Sequence, residues 1–178
     1  MMLPIIGRLE MTESVLNVDI SIDADGWRDV IPRLELTVRL AAEETVKVSG
    51  YGGTKAEISV LMTDNCTIAG LNENWRGKPD STNVLAFPGE LEGPGPVLLG
   101  DIVLAIETII AEANADGIKL SDHISHLVIH GVLHLLGHDH VTEYEAVKME
   151  GLETKILKTL GISNPYQDSR MKFSEINT

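Results

Sequence analysis

Apolar and polar residues alternate through Val15, Asn17, Val18, Asp19, Ile20, Ser21 and Ile22, which predicts a half-buried strand ended by the Asp-rich turn at Asp23 to Gly26. The period then changes. From Val30 to Glu44 apolar residues recur at helical intervals, predicting an amphipathic helix in which Pro32 is tolerated only near the start. Gly50, Gly52 and Gly53 mark a loop, and a second strand is expected over Ala56 to Met62. Thr63 or Asp64 can accept a free N–H of a first helical turn, so a helix is expected to run from there through Asn74 and end before Gly77. Val84 to Phe87 reads as a short strand closed by Pro88, Gly89 to Pro96 as a surface loop, and Val97 to Val103 as a further apolar strand. Three more helices are expected, at Ile106 to Ala115, Ser121 to Leu136 and Glu143 to Leu160, with Gly117 and Gly161 as stops after the first and last. No internal repeat or low-complexity tract interrupts the pattern. It therefore describes one α+β domain over 15–162, preceded by a flexible extension at 1–14 and followed by a polar, loosely attached tail at 163–178.

Length and composition agree with that layout. A chain of 178 residues fits one domain, and a hydrophobic share of 43% suffices for one core. No run approaches the ~20 apolar residues that cross a bilayer. Met1 to Ile6 is apolar but lacks a basic flank and is cut off by Arg8 and Glu10, so no signal peptide is expected and the chain is read as cytoplasmic. The single Cys66 has no partner for an internal disulfide and reads as a buried thiol in a reducing compartment. Charge alters the picture more. Fourteen basic against 27 acidic residues leave a net charge of −13, the reverse of what a sequence-blind nucleic-acid binder carries. A local basic cleft, a partner particle or a divalent metal must supply positive charge if the substrate is a polyanion.

All six histidines fall between His123 and His140. The stretch reads His-Gly-Val-Leu-His-Leu-Leu-Gly-His-Asp-His, and His130 and His134, four apart on a helix, project from one face roughly 6 Å apart along the axis. Gly137 can adopt the left-handed conformation that ends the helix and returns His140 toward them. Three imidazoles leave a fourth tetrahedral position open, the arrangement of a catalytic rather than a structural zinc site. The spacing also matches the extended signature of zinc proteases, but Gly131 stands where those enzymes carry the glutamate base. Peptide hydrolysis by that route is disfavoured, and Asp139, Glu143 or a group elsewhere is left as the possible base. His123 and His126 are assigned structural or supporting roles, and His138 is expected to point away. Each ligand's second ring nitrogen needs an acceptor, for which Asp139 and Asp101 are the candidates.

Leu71 to Pro88 is locally basic, with Arg76 and Lys78 flanking Gly77. A guanidinium can grip phosphate through two hydrogen bonds and stabilise charge on phosphoryl oxygens, and Trp75 can stack on an unpaired base. An ordinary cationic helix end with a buried Trp75 explains the segment equally well.

The histidine stretch resembles the H-G-x-L-H-L-x-G-x-D-H signature of the YbeY family of rRNA-maturation endoribonucleases, through His130, Gly131, Leu133, His134, Leu135, Gly137, Asp139 and His140. Asn72 to Pro88 resembles the family's second motif, and Leu99 to Ile102 a third, shorter one; Ala86 and Ser81 depart from the usual residues. The resemblance, over roughly 55–166, implies a small mixed β-sheet packed with about five helices. It further implies a single-strand-specific, zinc-dependent endoribonuclease acting in rRNA 3′-end maturation and ribosome quality control beside the small ribosomal subunit and its assembly factors. One Zn2+ would be held by His130, His134 and His140, with Arg76 as the functional arginine and Trp75 and Lys78 beside it. Two alternatives remain open on the residues alone: a metal-dependent hydrolase of another substrate, and a non-catalytic assembly factor with structural zinc.

Overall fold

Described in a computed structural model are residues 15–52, 55–89 and 95–166. The extension at 1–14, the last part of the tail at 167–178, and parts of the loops expected at Gly50 to Gly53 and Gly89 to Pro96 lie outside the described residues. Strands β1 (Leu16–Ile22), β2 (Ala56–Thr63), β3 (Val84–Pro88) and β4 (Val97–Ala105) form one sheet in the order β1, β2, β4, β3. The first three of that order run parallel, and β3 pairs antiparallel at the edge, so the sheet is mixed as expected. Five α-helices accompany it among the described residues: α1 (Leu34–Val48), α2 (Asn65–Arg76), α3 (Ile106–Asp116), α4 (Leu120–Leu135) and α5 (Glu143–Thr159).

Several boundaries move for identifiable reasons. The first helix was expected from Val30, yet Pro32 disfavours helical backbone at the residue before it, and Arg33 adopts a left-handed conformation with φ of 58° before α1 begins. At its other end α1 continues past Glu44, because Thr45 and Val46 are buried and the Thr45 hydroxyl donates to the Ala41 carbonyl at 2.7 Å. Strand β4 gains Leu104 and Ala105, which pair with Met62 and Thr63 of β2. The cap of α2 is Asp64, whose carboxylate accepts the Thr67 N–H at 2.8 Å. An unforeseen single 3-10 turn at Asp25–Trp27 drops the Trp27 ring fully into the core, where its Nε1 donates to the Thr63 carbonyl at 2.8 Å. Cys66 departs from expectation, being exposed near the start of α2.

One face of the sheet is covered by α1 and α4. Val18, Val60 and Ile102 meet Val38, Ala41 and Ala42 of α1, and Ile124, Val128 and Val132 of α4 in the main core. At about 25 cal/mol per Å2 of apolar surface, each of the fully buried Val and Ile side chains contributes roughly 1.5–3 kcal/mol before the entropy cost is subtracted. Helix α4 is thereby held on the sheet, and it also touches α1, α3, α5 and β3. The opposite face carries α2 over a smaller cluster of Ile68, Leu85, Val103 and Ala105. No helix of the described residues is long and apolar enough to cross a membrane.

Candidate metal centre and cleft

The last turns of α4 place His130 and His134 on one side of the helix. Gly131, on the other side, explains the depth at which the helix sits: a Cβ there would stand 3.0 Å from the Ile102 side chain of β4. The residue that looks like a missing base is therefore a packing requirement. The helix ends at Leu135 with Leu136 as its cap, after which Gly137 takes φ of 85°, its N–H donating to the His134 carbonyl at 3.0 Å and that of His138 to the Leu133 carbonyl at 3.0 Å. The reversal brings His140 back. Its ring lies 5.4 Å from that of His130 and 5.1 Å from that of His134, and one nitrogen from each of the three rings falls within 4.8 Å of the others.

This donor set fits a divalent metal. The Nε2 atoms of His130 and His134 face each other at 3.1 Å, close to the separation of two donors at ~2.0–2.1 Å on one tetrahedral ion. Burial, and then the charges of His130 and His140, push the His134 imidazole below its ordinary value of 6.5, so the ring favours the neutral form that a metal needs. His138 is not one of the three, as expected.

The support for these histidines differs from the sequence reading. Asp101 lies away from the histidines: it pairs with Phe87 and Ser59 on the opposite face of the sheet, because neighbouring β4 side chains alternate faces and Ile102 takes the one beneath α4. Asp139 is beside the site, but its carboxylate accepts the backbone N–H of His140 at 2.8 Å rather than a ring N–H. The acceptor for His130 is Glu153, which the sequence reading missed. Its Oε1 lies 2.8 Å from His130 Nδ1, its Oε2 lies 3.0 Å from His126 Nε2, and the Tyr166 hydroxyl also donates to Oε2. The side chain is 1% exposed. Burial raises the proton affinity of this carboxyl, but hydrogen bonds from His126, His130 and Tyr166 outweigh it and hold the group at about 2. A signal was present: on α5 the buried stripe runs Met149, Glu153, Ile156 and Leu157, and a charge on such a stripe requires partners. His126 thus has a supporting role, and His123 a structural one, bonded to Glu112 of α3 at 2.8 Å. Residues 163–166, expected as part of a loose tail, are tied to α5 through Tyr166 and through Asn164, which accepts from Thr154 at 3.4 Å.

The histidines open onto a cleft of about 610 Å3 whose other wall includes Arg76, Lys78, Thr82 and Asn83. Arg76 is the last residue of α2, and Gly77, at φ of 68°, turns the chain so that Lys78 follows on the same side of the cleft. Asn83 is fixed by Glu112, which accepts both contacts of its amide nitrogen at 3.1 and 2.9 Å. Trp75 does not line this cleft. It is 72% exposed and sits against Phe87, ring centres 5.6 Å apart, in an apolar groove on the far side of edge strand β3. Neither a buried Trp nor a stacking platform beside the histidines is what α2 provides.

Residues 22–161 match the family model described as Endoribonuclease YbeY. Among curated relatives, Endoribonuclease YbeY of Rhodospirillum rubrum is 48% identical over 156 residues, covering 81% of this chain and 78% of the relative. That of Paramagnetospirillum magneticum is 44% identical over 158 residues, covering 85% and 96%. The solution structure of TM1509 from Thermotoga maritima matches with a TM-score of 0.52 at 19% identity, covering 81% of this chain and 91% of that one, and supports the fold. With a motif-bearing cleft, a matching fold and curated relatives over most of its length, the chain belongs to the YbeY family of endoribonucleases, hydrolases of RNA phosphodiester bonds.

Proposed function

We propose that this endoribonuclease is zinc-dependent, cuts single-stranded RNA, and acts in the cytoplasm on ribosomal RNA 3′ ends and in ribosome quality control, with His130, His134 and His140 holding one Zn2+. The observation that carries the reading is the convergence of three imidazole nitrogens within 4.8 Å at one wall of a cleft whose opposite wall bears Arg76 and Lys78. When bound, the ion supplies Lewis-acid polarisation of a phosphoryl oxygen and acidifies water. Arg76 binds the scissile phosphate through its planar guanidinium and stabilises the charge that grows on its oxygens. Lys78 adds a mobile point charge for a neighbouring phosphate. Asp139, the carboxylate lining the cleft beside His140, accepts the proton of the attacking nucleophile. Glu143 lies in the first turn of α5 and does not line the cleft. Trp75 is assigned no part at the reacting phosphate.

A net charge of −13 keeps the protein from binding RNA without discrimination, so presentation of the strand by the small ribosomal subunit and its assembly factors is the partner arrangement that suits it. The test is zinc content and single-stranded RNA cleavage measured together on wild type, His134→Ala and Arg76→Ala. The reading expects His134→Ala to lose both, and Arg76→Ala to keep zinc and lose cleavage. It fails if zinc-loaded wild type does not cut RNA, or if His134→Ala cuts as well as wild type.

A further inference from the structure

We propose that the metal centre extends through Glu153 to the segment following α5, so that seating of Tyr166 against Glu153 positions His130 for the metal; the inference rests on the zinc reading above. His130 has two ring nitrogens with opposite tasks. Its Nε2 faces the Nε2 of His134 at 3.1 Å, while its Nδ1 faces Glu153 Oε1 at 2.8 Å. A carboxylate accepts and does not donate, so Nδ1 carries the hydrogen and Nε2 keeps the lone pair that a metal takes.

Glu153 is in turn oriented from outside α4. Its second oxygen accepts from His126 Nε2 and from the Tyr166 hydroxyl, three donors sharing one buried carboxylate. The position of Tyr166 is set locally: Asn164 accepts the Tyr166 N–H at 2.9 Å and the Thr154 hydroxyl at 3.4 Å, pinning the segment to α5. The tyrosine also lines, with His130, His140 and Glu150, a cavity of about 240 Å3 that Arg76 and Lys78 do not line. Removing its hydroxyl leaves Oε2 with His126 alone, and the carboxylate gains freedom to rotate away from His130. Glu153 and Tyr166 are positioning residues in this scheme, since neither touches the ion or the RNA.

The test measures zinc affinity by competition with a chromophoric chelator on wild type, Glu153→Gln and Tyr166→Phe. It also measures the His130 tautomer in the metal-free proteins from ring 15N shifts. Expected are Nδ1–H at His130 in wild type and zinc binding weakened roughly 10- to 100-fold in Glu153→Gln. Tyr166→Phe should weaken it roughly three- to tenfold, the worth of one hydrogen bond. A purely structural role would lower the melting temperature and leave the zinc affinity of the folded variants and the tautomer unchanged, and that result overturns the proposal. If Glu153→Gln does not fold, Tyr166→Phe decides alone, with affinity within twofold of wild type as the contrary outcome. Wild type that binds no zinc removes the underlying reading instead, whereas wild type that binds zinc as tightly as both variants removes only this inference.

Discussion

His130 and His134 project from a helix packed on the sheet and on three other helices, and His130 is fastened at Nδ1 to a buried carboxylate. Arg76 and Lys78, across the same cleft, stand on an exposed helix end and the turn after it, and make no side-chain hydrogen bond or ion pair among the described residues. On the function proposed above, the contrast follows from what each wall would bind. Ligands of a small ion must hold position to within about 0.5 Å, so their geometry is fixed in advance by packing and hydrogen bonds. Cations that meet a phosphate chain act over several ångströms and can order when the strand arrives, at a cost of up to about 2 kcal/mol of rotamer entropy each.

The largest effect that would sharpen this comparison comes from acid, which acts on the carboxylate behind His130. Glu153 has a folded-state value near 2 against an ordinary 4.5, so its contribution to stability is fully present above pH 4.5 and is lost as pH falls toward 2. That shift corresponds to roughly 3 kcal/mol. Urea midpoints of metal-free wild type and Glu153→Gln should therefore converge over that window, and a constant gap would mean that the carboxylate is not held down by its partners. Next is Gly131→Ala, where a methyl must displace Ile102. We expect a loss of about 1–3 kcal/mol in chemical denaturation. An unchanged midpoint would show that α4 can slide on β4, and the wall would not be rigid. Smaller again is Lys78→Ala, which should leave fold and zinc untouched and reduce the salt slope of RNA binding by about one counterion. A slope that does not move would exclude Lys78 from phosphate contact. Trp75→Ala should change cleavage least, within about twofold of wild type, because its ring lies across β3; a loss near tenfold, the scale of one stacked base, would mean that RNA crosses the edge strand.

Much of this was legible in the sequence because the signals are local. Helical spacing put His130 and His134 together, and a glycine able to take positive φ announced the turn that returns His140. A cap at Thr63 or Asp64, the α2 stop before Gly77 and the mixed sheet implied by the resemblance were likewise readable, and the structure chose Asp64. Boundaries failed where a contact distant in sequence prevailed over propensity: Thr45 and Val46 extend α1 because they are buried, and Leu104 and Ala105 extend β4 because β2 offers partners.

By itself, then, the sequence determined the cluster of three histidines, the class of fold and the basic segment across the cleft from them, since each is written in residues a few positions apart. Only the tertiary structure decided which acidic residue serves His130, which side of the sheet holds Asp101 and Trp75, and why position 131 is glycine. Those depend on the face a strand presents and on the approach of elements separated by 20 residues or more, such as Glu153 to His130 and Ile102 to Gly131. A buried carboxylate is tolerated only where several donors converge on it, and the sequence records its charge but not the fold that brings His126, His130 and Tyr166 to one oxygen pair.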